Sequence, residues 1–297
     1  MANLRDLRNR INSIKNTQQI TKAMKMVAAS KLRKAQQRMS ATRPYATKMS
    51  SVVTRLSSLN NTENTLLRQP EEVKKTLLIV VGSDKGLCGG FNNNLFRTVE
   101  THISENLSRF RDSGNLFLIT IGKKAGAYFK KRNYQILESY PGFFDNLNYE
   151  STSEIMQNAT QLFAEGEYDR VQIAFNEFKT VIAQNKLVVN VLPFEVEEED
   201  SANENGIQDY TDYIYEPNAD EILEKLLPVH LNMQLWRAVL ESNASEQGAR
   251  MAAMDNATEN AKELEEELSL KYNQLRQSAI TTEISEIVSG AAALEGT

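Results

Sequence analysis

No glycine precedes Gly82, and between Val229 and Ser289 the chain holds one glycine, Gly248, and no proline. Stretches so poor in helix breakers at both ends predict two long helices flanking a different kind of centre. The first arm carries a heptad seam over eight repeats. Its a-type positions are Leu4, Ile11, Gln18, Lys25, Leu32, Met39, Ala46 and Val53, and its d-type positions are Leu7, Ile14, Thr21, Ala28, Ala35, Thr42, Met49 and Leu56. Three of the polar exceptions fall together at Gln18, Thr21 and Lys25. Polar seam residues either set the register of a coiled coil or turn toward a third party. Pro44 is expected to bend this helix, because it removes a backbone donor and crowds the preceding turn.

The second arm repeats apolar residues at spacings of three and four: Met251, Met254, Ala257, Ala261, Leu264, Leu268, Tyr272, Leu275 and Ala279. Charge separates the arms. Residues 1–60 hold 13 Lys or Arg and one acid, whereas residues 229–297 hold 5 bases and 11 acids. A basic and an acidic helix with narrow seams suit each other as antiparallel coiled-coil partners. Helices over 3–59 and 229–289 would extend roughly 85–90 Å. A compact globule of this chain length is about 50 Å across, so such helices are expected to project from it.

Composition narrows the chemistry. The 297 residues suit about two domains. At 41% hydrophobic with a net charge of −5, the whole is ordinary globular material. No apolar run approaches the ~20 residues of a membrane-spanning helix. The single cysteine, Cys88, excludes an intramolecular disulfide framework and a cysteine-cluster metal site. His102 and His230, far apart, leave little material for a zinc site or a Ser–His triad. Enzymatic chemistry is the weaker reading.

Between the arms the pattern alternates strands and helices. Strands are predicted at 76–81, 115–121, 134–139, 170–176 and 186–193, with helices near 94–110, 123–132 and 151–165. This alternation argues a largely parallel open sheet, Rossmann-like and covered on both faces. The expected division is 1–60 as N-terminal coiled-coil helix, 75–195 as α/β domain, 196–208 as an acidic solvated loop and 209–290 as C-terminal coiled-coil helix. After the first strand comes G-S-D-K-G-L-C-G-G-F-N (Gly82–Asn92), placed where phosphate-binding loops sit. It lacks both G-x-x-x-x-G-K-[ST] and G-x-G-x-x-G, and reads as a structural turn. Cys88 within it reads as a small buried thiol.

Four segments then point to a family: I-T-K-A-M-K-M-V-A-A-S-K-L-R-K-A (Ile20–Ala35), the glycine-rich loop, A-S-E-Q-G-A-R-M-A-A-M (Ala244–Met254) and I-T-T-E-I-S-E-I-V-S-G-A-A-A (Ile280–Ala293). In these segments, in this order, the chain resembles the γ-subunit family of F-type ATP synthases over nearly its whole length. The resemblance implies a rotor. Its antiparallel coiled coil would stand inside a hexamer of α and β subunits, and its α/β foot would sit on the membrane c-ring beside ε. It implies no catalysis by this chain, no cofactor and no metal, and membrane attachment only through the ring. The family's contacts with the catalytic subunits carry over onto Met24, Lys25, Arg250, Arg276, Gln277, Thr281 and Glu283. The ring-facing foot would include Tyr213, Tyr215 and Glu216. That first pair lies in the polar interruption of the seam, which favours the third-party reading there. Lys25 stands where many relatives carry an acid, and the cysteine pair of redox-switched chloroplast relatives is absent.

The acid-poor, Arg-rich start looks like a mitochondrial transit peptide. The resemblance begins at about Asn3, so these residues are assigned to the coiled coil. The expected location is the bacterial inner membrane, peripheral and on the cytoplasmic side. Two rival readings follow from the residues. A nucleic-acid binder would use the basic helix as an arm, but Tyr45 alone offers a stacking surface there. An α/β enzyme with helical arms would need a catalytic constellation that the sequence does not supply.

Overall fold

The computed structural model describes residues Leu4–Leu59, Asn64–Phe194 and Tyr215–Glu295. The chain divides into two compact units, Ser30–Ala249 and Met1–Ala29 with Arg250–Thr297. Both terminal helices cross that division. The first, α1, runs Leu4–Leu59 and continues through Pro44, and the last, α6, runs Ala219–Glu295 through Pro228. Of the helix expected over 209–290, residues 209–214 lie outside the described residues, and the helix is described from Ala219. Asn218 caps α6, its Oδ1 accepting from the Glu221 N–H at 2.8 Å, and Pro217 precedes it. An Asn directly after a proline is a strong start signal. At the other end α6 passes through Gly290 and ends five residues later than expected.

In the unit Ser30–Ala249 the elements follow as β1 (Thr76–Val81), α2 (Phe91–Asn106), α3 (Ser108–Asp112), β2 (Leu116–Ile121), α4 (Lys123–Lys130), β3 (Gln135–Tyr140), α5 (Tyr149–Ala164), β4 (Arg170–Phe178) and β5 (Gln184–Leu192). The expected helix over 94–110 is two helices, broken at Leu107, whose φ of −125° leaves the helical range while its side chain stays buried. The five-stranded sheet has the order β3-β2-β1-β4-β5. Leu77 of β1 sits opposite Phe117 on one side and Val171 on the other, both in parallel register. The pair β4–β5 is antiparallel, because the five residues between them allow only a hairpin and not a crossover. Ala183 N–H donates to Thr180 Oγ1 at 3.0 Å to close that turn.

Alternation along β1 sends successive side chains to opposite faces. Leu77, Ile79 and Val81 join Ile155, Met156 and Phe163 of α5 and Met49, Val53 and Leu56 of α1. The same core takes Leu223, Leu227, Leu231 and Leu235 of α6, a spacing of four that keeps them on one stripe. Leu78 and Val80 face the other way, against Leu95, Phe96, Val99 and Ile103 of α2 and Phe129 of α4. Both faces are thus covered by helices. Among the described residues no helix is long and apolar enough to cross a membrane.

Candidate functional site

In the unit that joins Met1–Ala29 to Arg250–Thr297, the two helices pair antiparallel. Lys25 Nζ meets Asp255 Oδ1 at 2.5 Å, and Lys15 Nζ meets Glu265 Oε1 at 3.3 Å. Ten residues back along α1 correspond to ten forward along α6. Between these ion pairs the Thr21 and Thr258 hydroxyls bond each other at 2.8 Å, while each also reaches a carbonyl of its own helix, Gln18 and Met254. Further on, Leu7, Ile11 and Ile14 pack with Leu268 and Tyr272. Seam residues Ala28, Met254 and Ala261 are buried, as expected. Leu264 and Leu275, however, are exposed. Glu265 is half-buried beside Lys15 where a continuous apolar stripe would have carried Leu264.

The polar interruption of the seam is resolved at two positions. Thr21 is buried and Lys25 is ion-paired, so both have partners on the facing helix. Such a polar step fixes register, because sliding by one residue strands the hydroxyl pair. Asp255, which sequence reading passed over, supplies the acid that Lys25 faces. Its signal was available: an acid on the acidic arm at a position flanking the seam. Met24 is half-buried next to Met26 and Val27, which are exposed.

The expected contact residues fall into two groups. Met24 and Lys25 lie on α1 and Arg250 on α6, where the register brings these stretches near one another. Arg276, Gln277, Thr281 and Glu283 lie at least 26 residues beyond Arg250, about 40 Å along the helix. All four are exposed. Extrapolating the register, Leu4 comes opposite about Arg276, so α6 outruns its partner among the described residues. That overhanging segment carries an apolar row at spacings of three and four. Ile280 is 47% exposed, Ile284 55%, Ile287 71% and Val288 62%. The spacing of these four residues was legible in the sequence, but that they overhang follows only from the register of the pair. Of the ring-facing residues, Tyr215 packs on the core of the α/β unit and Glu216 is exposed. Tyr213 and the acidic loop 196–208 lie outside the described residues.

The glycine-rich loop is clasped to the loops that follow β2 and β3. Three backbone N–H groups from those loops converge on the carboxylate of Asp84. Its Oδ1 accepts from Lys123 N at 2.9 Å and Gly142 N at 2.7 Å, and its Oδ2 accepts from Phe144 N at 2.9 Å. Lys85 pairs with Asp145 at 2.8 Å, which together with the hydrogen bond holds the Asp145 carboxyl below the usual range. Asn92 accepts from Ser83 N at 3.1 Å and donates to Ser83 Oγ at 2.7 Å and to the buried Cys88 Sγ at 3.4 Å. Gly122, with φ +97°, lets the next loop approach, since a Cβ there would lie 2.9 Å from the Ser83 carbonyl carbon. The loop therefore ties together the C-terminal ends of β1, β2 and β3.

The ATP synthase family profile matches residues 3–294. The chain is 48% identical over 298 residues to the ATP synthase gamma chain of Prosthecochloris aestuarii, covering 100% of both chains. Among solved structures it is similar to the rotor of the Euglena gracilis mitochondrial ATP synthase, at 22% identity and a TM-score of 0.66, covering 93% of this chain and 98% of that one. It is also similar to a chain of the Tetrahymena thermophila mitochondrial ATP synthase central stalk and c-ring, at 26% identity and a TM-score of 0.57, covering 80% and 99%. Full-length identity at this level, together with an antiparallel helix pair and a five-stranded α/β sheet, places it: the chain belongs to the ATP synthase family, among the gamma chains.

Proposed function

We propose that the chain is the rotating central shaft of an ATP synthase and catalyses nothing itself. Its paired helices turn inside a ring of α and β subunits. Its α/β unit joins ε and the membrane c-ring, with Tyr213, Tyr215 and Glu216 toward the ring. The chain touches the membrane only through that ring, at the cytoplasmic face of a bacterial inner membrane. The supporting observation is the overhanging end of α6, where Ile280, Ile284, Ile287 and Val288 stand open on a stretch that no described residue of α1 faces. Covering these four side chains is worth on the order of 5 kcal/mol, which favours a sleeve of other subunits around the tip.

Met24, Lys25, Arg250, Arg276, Gln277, Thr281 and Glu283 then supply two belts of contacts. Lys25 can serve although it is paired with Asp255, because an exposed ion pair contributes under about 1 kcal/mol and exchanges readily for another anion. An asymmetric shaft biases three chemically identical sites only through unequal contact energies at each. Polar groups that bond in some angular positions and not in others provide that inequality.

Replacing Gln277 and Thr281 together with alanine tests the upper belt. Both side chains are exposed, and the Thr281 hydroxyl bonds only the Gln277 carbonyl at 2.9 Å, so the fold is spared. ATP synthesis and coupled proton pumping in reconstituted vesicles should both slow several-fold. Unchanged turnover in a normally assembled double mutant removes these residues from coupling.

A further inference from the structure

One stretch of α6 meets the sheet through a cluster of buried polar contacts. Glu241, Ser242 and Ser245 are fully buried, at 0% exposure, and with Gly248 they lie on one face of the helix. Glu241 Oε2 accepts from the Phe178 N–H at 3.0 Å, at the end of β4. Its Oε1 accepts from Arg43 of α1, from Nη2 at 2.9 Å and from Nε at 3.3 Å. Ser242 Oγ donates to the Val81 carbonyl at 3.2 Å, and Ser245 Oγ donates to the Asn176 carbonyl at 3.1 Å. At Gly248 an added Cβ would lie 3.4 Å from both the Phe178 ring and the Val181 carbonyl oxygen, so the β4–β5 turn seats directly on the helix backbone.

We propose that this weld, centred on Glu241, is the joint through which the sheet drives the helices when the shaft turns. The inference rests on the rotor reading above. Along the preceding turns α6 packs through Leu223, Leu227, Leu231 and Leu235, contacts that are non-directional and tolerate rolling. Hydrogen bonds weaken steeply with misalignment. A carboxylate about 6 Å from the helix axis moves about 2 Å when the helix rolls by about 20°, enough to break all three of its bonds. One side chain thus locks α1, α6 and β4 against relative rotation. Glu241 is a positioning residue that fixes the angle at which α6 leaves the sheet.

The test uses the assembled, membrane-reconstituted complex. Glu241→Gln keeps size but must set its NH₂ against either the Phe178 N–H or the Arg43 guanidinium, and Ser242→Ala with Ser245→Ala removes two bonds without a buried charge. Each should leave ATP hydrolysis within twofold of wild type. Protons pumped per ATP hydrolysed should fall by at least half in Glu241→Gln, and less in the serine pair. A bead on the shaft should show a broadened angular distribution at each dwell. If Glu241→Gln does not assemble, the serine pair decides. A lower melting temperature with unchanged pumping ratio and angular width assigns the weld a purely structural role and overturns the proposal. Failure of the wild-type chain to assemble with catalytic subunits would instead strike the rotor reading, so the two outcomes are distinguishable.

Discussion

Removing the Asp84 carboxylate should unfasten the loops at the C-terminal ends of β1, β2 and β3. Three backbone donors, those of Lys123, Gly142 and Phe144, point at it from 2.7 to 2.9 Å. Hydrogen bonds to a charged group contribute about 1.5–3 kcal/mol when buried. Asp84 is half-buried, and water can reach the Lys123 and Gly142 donors, so about 1 kcal/mol for each is the appropriate scale. Asp84→Ala should therefore cost about 3 kcal/mol. Asp84→Asn can keep its amide oxygen toward the two donors that share Oδ1, but it turns an NH₂ toward the Phe144 N–H, and should cost about 1–2 kcal/mol. Urea unfolding followed by fluorescence of Trp236, the single tryptophan, reports on this unit, because its ring packs edge-on against Tyr149 at 5.9 Å. Hydrogen exchange at the three amides should accelerate in the same order, alanine above asparagine. An Asp84→Ala midpoint indistinguishable from wild type, with unchanged exchange, would refute the assignment of the loop as a structural clasp.

Leu268→Pro removes a helical hydrogen bond beside Leu7 and Ile11 and should cost on the order of 3 kcal/mol locally, abolishing assembly while the α/β unit keeps its Trp236 signal. Cys88→Ala should lower stability by about 1 kcal/mol and keep more than half of ATP synthesis, because the thiol is buried packing. His230 is buried, which pushes its pKa down to about 4 from 6.5, and its Nε2 lies 2.7 Å from the Gln234 amide, a contact the neutral ring can accept. The neutral form is favoured in the fold, so its contribution is complete above pH 6.5 and drains as pH falls toward about 4, by roughly 3 kcal/mol. In chemical unfolding, His230→Phe should flatten the loss between pH 6.5 and 5; an unaltered slope would contradict it.

The helices and strands were legible because their signals are local. The heptads from Leu4 to Leu56 and the apolar run Thr76–Val81 declare their periods without reference to the rest of the chain. What stayed hidden depends on tertiary partners. Nothing near Asp84 in sequence indicates that its ligands are the N–H groups of residues 39, 58 and 60 positions later. Gly248 reads as a helix blemish until the β4–β5 turn is seen against it. Glu241 reads as one more acid on an acidic arm, although it is completely buried and paired with Arg43. The register of the helix pair lay between these cases. Opposite charges announced the pairing, but only the Lys25–Asp255 and Thr21–Thr258 contacts fix which residues face each other, and hence which part of α6 overhangs.

The most direct test of the shaft assignment is rotation itself. A cysteine introduced at the exposed Lys131, in a Cys88→Ala background, would carry a bead on the α/β unit while the α and β subunits are fixed to a surface. With ATP added, the bead should turn continuously in one direction, pausing once for each catalytic site. ATP hydrolysis by the same surface-bound complexes with the bead stationary would contradict the assignment.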